Sequence, residues 1–491
     1  MSIISHTTDG YEHEPDPADA ASNRKRLSGT VGAIALLFMV LAYNGPLSGV
    51  VGYLPVVIGY GNGLGAPLAY ALAGLVLAGF AVGFMKMSSK IKNPGGFYSF
   101  ITAGLGRDVG LGAAGVALFV YFAILVSSTA FMGLSMKNLV EVTLSGPSIH
   151  WSVYGLGTLI VIGVLGYFKL ELSARVLGVL LVFELVIVAV YDIAVVVQGG
   201  ATGLTASFLD PDVFLSGSVG LALLFAMSSF GGFEATVVFR HEIKDPNRTI
   251  PRATYGFLVV VGLFYAFSAW AITQALGDTD AVTETAADPT GSVFATFRTF
   301  LGVFGQDVMT VLLCTSIFAA ILSMHNVLTR YVFNLAYDGV FSARIAQVHP
   351  TQKSPHKASV LVSTASIIAM AAFVLSGSAI TVLYAQLAGI FGYGLLLLIT
   401  VTDIAVIVYL HKNRQHSGNI WQRSIAPGVA LIGLVVVLVL GTLNIDILLA
   451  VSKSTAITMC IGVYVLWILG MLYARRLKAR SPKVYAQIGL Q

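Results

Sequence analysis

Apolar residues in this chain collect in runs of about 20 or more, the length that carries a helix across roughly 30 Å of hydrocarbon, with short polar segments between them. The runs fall at approximately 30–58, 66–88, 109–136, 152–168, 173–197, 214–240, 252–275, 307–336, 357–376, 379–410, 425–444 and 454–474. They predict an all-α membrane protein with twelve transmembrane helices. Residues 1–28 read as a disordered cytoplasmic tail, and residues 475–491 as a second, basic tail. The composition agrees: 56% hydrophobic and 10% charged, with a mean hydropathy of +0.85, is too apolar for a surface that faces water. The N-terminal stretch is acidic before its basic end at Arg24-Lys25-Arg26. A cleaved signal peptide has the opposite order, basic then apolar, so the first run is expected to stay in the membrane.

Charge orients the chain. With the N-terminus placed inside, every one of the 28 basic residues except Lys137, Arg298 and Lys453 falls in an inner segment or at an inner helix end. Cytoplasmic loops collect Lys and Arg, which places both termini in the cytoplasm and the protein, multi-pass, in the cytoplasmic membrane. The outer loops are acidic or uncharged: Asp210 and Asp212, then Asp278, Asp280, Glu284 and Asp288, with the glycine-rich Gly59–Gly65. Within the longest of them, Ser292–Phe300 reads as a short amphipathic helix over the outer mouth. The net charge of +5 therefore reports topology and does not point to nucleic acid.

Chemistry-bearing motifs are few. The two cysteines, Cys314 and Cys460, sit in apolar runs, so neither a disulfide framework nor a thiolate cluster is expected. No His-Glu-x-x-His run, metal-ligand spacing or nucleophile–base pair occurs, so the sequence predicts no enzyme, no cofactor and no metal. Gly61-Asn62-Gly63-Leu64-Gly65 lacks the strand, the lysine and the spacing of a phosphate loop and is read as a turn.

Two runs are irregular at mid-span. In the first, helix over Thr30–Tyr43 is interrupted by Asn44-Gly45-Pro46-Leu47-Ser48-Gly49 and resumes over Val50–Ile58. In the sixth, Ser228-Ser229-Phe230-Gly231-Gly232-Phe233 breaks the helix, Glu234 follows directly, and helix resumes through Phe239. Lipid cannot satisfy the backbone groups such breaks release, so they persist where they line a cavity. The breaks fall first in spans one to five and first in spans six to ten. Paired interruptions of this kind point to an inverted-repeat transporter site. In that arrangement, amides near Val50 and Glu234 face a substrate carboxylate, and carbonyls near Tyr43 and Ser229 face its ammonium.

Three stretches carry a family resemblance. Gly232-Phe233-Glu234 with His241-Glu242-Ile243-Lys244-Asp245-Pro246-Asn247-Arg248-Thr249-Ile250-Pro251-Arg252-Ala253 resembles the sixth helix and following loop of the amino acid–polyamine–organocation (APC) permeases. Asn93-Pro94-Gly95-Gly96-Phe97-Tyr98 is similar to that family's helix 2–3 loop, and Thr329-Arg330 through Asp338-Gly339 to His349-Pro350 to the end of its eighth helix. The family's usual glycine-serine-glycine break in helix one is here Gly45-Pro46-Leu47-Ser48-Gly49, matched loosely at Ser48 and Gly49. The resemblance implies a leucine-transporter-type fold. Its ten-helix core would span residues 29–411, as a five-plus-five inverted repeat of 29–200 and 201–411, with two further helices over 412–474. It also implies secondary active uptake of an amino acid or related amine by alternating access.

Ionisable residues at membrane depth are costly and mark function by default. Glu184 lies eleven residues into the fifth run, near the bilayer midplane at about 1.5 Å per residue. It matches the position where some proton-coupled relatives carry a lysine. It is the candidate proton-coupling group, its alternative being a carboxylate satisfied by a neighbouring hydroxyl or amide. Glu234 either senses a proton or gate movement or caps the resumed helix. Asp192 and Asp403 read as interfacial, and His325 as a buried, satisfied imidazole. Candidate substrate-binding residues are Asn44, Gly45, Pro46, Ser48 and Gly49 at the first break; Ser228, Ser229, Phe230, Gly231, Gly232 and Phe233 at the second; and the aromatic walls Tyr121, Phe122 and Tyr384. The expected partners are a small amino acid or amine, a coupling proton with sodium as the alternative, and the lipid bilayer, in a monomer or homodimer. A polyamine or amino acid exchanger, or a channel or sensor using the same cavity, are the competing functions.

Overall fold

The computed structural model describes residues 31–91, 95–168, 174–240, 243–352, 354–377, 379–414, 418–449 and 451–489. The tail expected over 1–28 and the motif residues Asn93, Pro94, His241 and Glu242 lie outside them. Among the described residues the chain is helical, with one isolated β-bridge between Val31 and Ile243. The elements that matter below are α1 (Ala33–Asn44), α2 (Pro46–Gly52), α3 (Ala66–Ser88), α4 (Phe97–Leu105), α5 (Arg107–Asn138), α6 (Trp151–Phe168), α7 (Ala174–Gln198), α8 (Val219–Ser228), α9 (Ala235–Val238), α10 (Pro246–Leu276), α11 (Pro289–Tyr337), α12 (His356–Leu375), α13 (Ile380–Lys412), α14 (Ala426–Leu443), α15 (Lys453–Arg480) and α16 (Pro482–Gln487).

Among the described residues, eleven helical stretches are long and apolar enough to cross a membrane, counting α1 and α2 together. The apolar runs lead to an expectation of twelve. The difference lies in run six, which does not form one helix: α8 stops at Ser228 after 10 residues, and only the four residues of α9 follow the turn. The 49-residue α11 is two helices joined at Gly302, whose φ of 72° and ψ of −176° leave the helical region. Its first part contains the expected Ser292–Phe300 helix and is capped by the Asp288 side chain, which accepts from the Gly291 amide at 2.9 Å.

Burial sorts the helices. Most of α5, α11 and α13 is enclosed, and these cross beside the breaks in α1–α2 and α8–α9. By contrast, α7 presents Val179, Val182, Phe183, Val186 and Val190 outward, and α15 presents Ile457, Ile461, Val465, Ile468 and Leu472. Such apolar outer faces suit helices bathed in lipid, where hydrocarbon replaces water as the solvent. Ser228, Ser229, Glu234 and Thr236, at the second break, are among the buried polar residues.

Candidate functional site

The first break is a single residue. Gly45 adopts φ 60° and ψ 72°, its amide donating to the Leu41 carbonyl at 3.0 Å, and helix restarts at Pro46. The interruption is thus shorter than the six residues expected. The reason is that proline is tolerated in the first turn of a helix, where no amide hydrogen is needed, so Pro46 begins α2 and does not break α1. The second break is longer. Ser229, Phe230 and Gly231 donate their amides to the carbonyls of Phe225, Met227 and Ser228, Gly232 takes φ 108°, and helix resumes at Ala235.

Asn44 joins the two breaks. Its Nδ2 donates to the Ser229 carbonyl, in a short contact, and to the Gly231 carbonyl at 3.4 Å. Its Oδ1 accepts from the Tyr265 hydroxyl at 2.6 Å. Glu234 secures the far side of the same turn: one carboxylate oxygen accepts from the Gly232 amide at 3.0 Å, the other from the Tyr121 hydroxyl. Backbone groups that a membrane interior would leave unsatisfied are therefore bonded by side chains from α1 and from the turn itself.

Around Asn44 lies a cavity of about 40 Å³, room for a few water molecules. Of the sequence-predicted residues, Asn44, Ser48, Ser228, Ser229, Gly231 and Tyr384 line it. The others stand behind its wall. Gly45 and Pro46 form the turn itself, and Gly49 is pressed against the Tyr265 ring. Tyr121 and Gly232 are engaged with Glu234. Phe230 points toward Gly74 of α3 and Gly262 of α10, and Phe233 meets Phe80 edge-on at 6.0 Å. Phe122 is outside the lining as well.

Sequence reasoning missed much of the wall: Tyr53 and Tyr265, together with Ile124, Ser128 and Phe131 of α5 and Ile317, Ala320 and Met324 of α11. A signal existed in the spacing, since 124, 128 and 131 share one helical face, as do 317, 320 and 324. Nothing in those regular helices marked the face as special.

The deep carboxylates divide. Glu184 is 2% exposed and lies beside the Ser316 hydroxyl of α11 and the Leu47 amide at the start of α2, and its Oε2 has no hydrogen-bond partner among the described residues. Asp192 and Asp403 are enclosed in the bundle, at 2% and 0% exposure. Asp192 accepts from the Ser268 hydroxyl at 2.8 Å, whereas neither oxygen of Asp403 has a partner among the described residues. His325 is buried with its Nε2 2.9 Å from the Ser363 hydroxyl. Among the described residues no group of three or more His, Cys, Asp or Glu could hold a metal.

Comparison with known proteins gives this geometry its family. The curated relatives include the low-affinity putrescine importer PlaP of Escherichia coli (strain K12), 22% identical over 359 residues that cover 71% of this chain and 76% of the relative. They also include the serine/threonine exchanger SteT of Bacillus subtilis (strain 168), 24% identical over 330 residues that cover 66% of this chain and 72% of the relative. Both are transporters by name. The model of the amino acid permease family matches residues 47–484, nearly the whole membrane-spanning region, and the chain belongs to that family, within the APC superfamily.

Proposed function

We propose that this protein is a secondary permease that imports an amino acid or related amine across the cytoplasmic membrane by alternating access, coupled to protons. The observation that carries the reading is the polar cavity built where the α1–α2 break meets the α8–α9 turn, tied together through Asn44. Counting the two half-helices of run six as one span gives twelve, with α1–α7 and the stretch from α8 to α13 as inverted five-helix repeats of 29–200 and 201–411. The two further helices over 412–474 and the basic inner ends support a topology with both termini in the cytoplasm.

Glu184 is the proton carrier in this reading. Ionised, it offers charged hydrogen bonds to the Leu47 amide and to the adjacent Ser316 hydroxyl, whose Oγ has no partner among the described residues, and so draws α7 toward α2 and α11. Protonated, it loses the charge that strengthens those bonds, which frees the first break to move relative to α7. Glu234 has both oxygens occupied by Gly232 and Tyr121, and its role is to hold the second break.

The test is uptake into proteoliposomes with and without an inward proton gradient. Wild type is expected to accumulate substrate only with the gradient, and Glu184→Gln to retain exchange of labelled for unlabelled substrate while losing all stimulation by the gradient. Stimulation of the variant equal to wild type removes Glu184 from the coupling role; linear, unsaturable flux in both removes the permease reading.

A further inference from the structure

The wall of the cavity carries no charge. Among its lining residues are four tyrosines, four serines, one asparagine and one glycine, and the remainder are aliphatic, aromatic or thioether side chains. The two nearby carboxylates do not line it. Glu234 is occupied on both oxygens by Gly232 and Tyr121. Glu184 faces Leu47 and Ser316.

A desolvated ammonium needs an anion or a full set of oriented acceptors. The breaks supply one such set, from serine hydroxyl oxygens and the second lone pairs of the Ser228 and Ser229 carbonyls, which already accept from the Gly231 amide and from Asn44. Ser48 and Ser228 already donate their hydroxyl hydrogens to the Gly45 and Leu224 carbonyls and offer only acceptor oxygens, whereas the Tyr43 hydroxyl, which has no partner among the described residues, supplies a donor. The opposite wall, Ile124, Phe131, Ile317, Ala320 and Met324 with Ser128 at its edge, offers nothing that would hold a second ammonium.

We infer that this site, on the permease reading above, selects α-amino acids with uncharged side chains and discriminates against diamines and basic amino acids. Once the cavity widens from its present volume of about 40 Å³ in the alternating-access cycle, the substrate's ammonium and carboxylate lie at the breaks and its side chain lies against the α5–α11 wall. Net neutrality of ligand and wall is the principle. A zwitterion enters without leaving an unpaired charge, whereas a diamine strands one ammonium against Ile124 and Met324. Electrostatic selection of this kind separates the two chemistries carried in the names of the relatives, an importer of a diamine and an exchanger of two neutral, hydroxylated amino acids.

The full-length protein in proteoliposomes, preloaded for counterflow, is challenged with serine, alanine, leucine and methionine, with lysine and putrescine, and with isoamylamine, the decarboxylated form of leucine. At least one neutral amino acid is expected to compete at a concentration at least about tenfold below putrescine, lysine and isoamylamine, the factor that one lost charge-assisted bond sets. Putrescine or isoamylamine competing as well as the neutral amino acids overturns the inference while leaving the permease reading intact. Absence of saturable counterflow with every compound overturns both. Ser128→Asp then supplies the missing anion, and Ser128→Asn controls for volume. The aspartate variant alone is expected to shift preference toward putrescine by about tenfold, and an equal shift in both variants counts against charge as the selector.

Discussion

At the scale of single residues, the site depends on Asn44 more than on any group that would touch a substrate. One amide side chain satisfies two carbonyls of the second break and one hydroxyl of α10. A buried acceptor left without its donor costs about 1–3 kcal/mol. Asn44→Ala orphans the Ser229 and Gly231 carbonyls and the Tyr265 hydroxyl together, and is expected to destabilise by ~2–6 kcal/mol and to abolish uptake. Asn44→Asp keeps the acceptor for Tyr265 but aims a carboxylate at two carbonyls, so it is expected to be at least as damaging. Thermal unfolding and substrate uptake of both variants check the point; an aspartate variant near wild type would show that the donor is dispensable. The residue was legible in the sequence because it stands next to Gly45-Pro46 in an otherwise apolar run. Phe230 was misleading for the opposite reason. It stands inside a break, but the direction of a side chain in a turn follows from local φ and ψ and not from a helical period, and here it turns toward Gly74 and Gly262.

At the scale of elements, the two breaks have different makers from those the sequence suggests. Proline looks like the residue that interrupts helix one, yet Pro46 sits at the first position of α2, where proline fits. Gly45 makes the break, because its positive φ is open to glycine at no cost and costs an L-residue about 1–2 kcal/mol. A Cβ there would also stand 2.6 Å from the Ser48 hydroxyl and 3.3 Å from Ala320. In the second break a Cβ on Gly232 would stand 2.4 Å from the Tyr43 ring, again at positive φ. Pro46→Ala is accordingly expected to retain most uptake, with stability within about 1 kcal/mol of wild type. Gly45→Ala and Gly232→Ala are each expected to reduce uptake more than tenfold, about the effect of a 1.4 kcal/mol strain placed on the site. Initial rates at matched expression decide between the two assignments, since a proline-made break reverses the order. The existence of both interruptions was readable from clustered glycine, serine and proline within apolar runs. Their lengths were not, because the same residue types serve as helix starts, turns and breaks.

At the scale of the whole molecule, the long apolar runs specify the bundle, and the C-terminal residues then fasten one end of it in a way that composition conceals. Residues 475–491 read as a basic tail, but α15 continues as helix to Arg480 and α16 follows at once. The Tyr485 hydroxyl donates to Asp108 at 2.8 Å, Arg475 approaches the same carboxylate at 3.4 Å, and Arg107 donates to the Ala486 carbonyl at 3.1 Å. Beyond α16, the Gly489 amide donates to Asp338 at 3.0 Å beside the Tyr98 hydroxyl at 3.1 Å, and Ile488 is fully buried. These contacts tie the start of α5 and the α4 face to the end of α11, all on the side proposed as cytoplasmic. Burying one isoleucine stabilises by about 1.5–3 kcal/mol, while the exposed Arg475–Asp108 pair adds little. Deleting residues 482–491 is therefore expected to lower the apparent melting temperature by about 2–5 °C. It is expected to leave the half-saturation concentration for externally added substrate unchanged, because no residue of the segment lines the cavity. Ile488→Ala should reproduce most of the thermal loss and Arg475→Ala little of it. Thermal unfolding of the three proteins with concentration-dependent uptake tests this. A deletion that keeps its melting temperature shows the segment to be bound without stabilising the bundle, and one that shifts half-saturation shows that the tail and the substrate site are coupled through Asp338 and Tyr98.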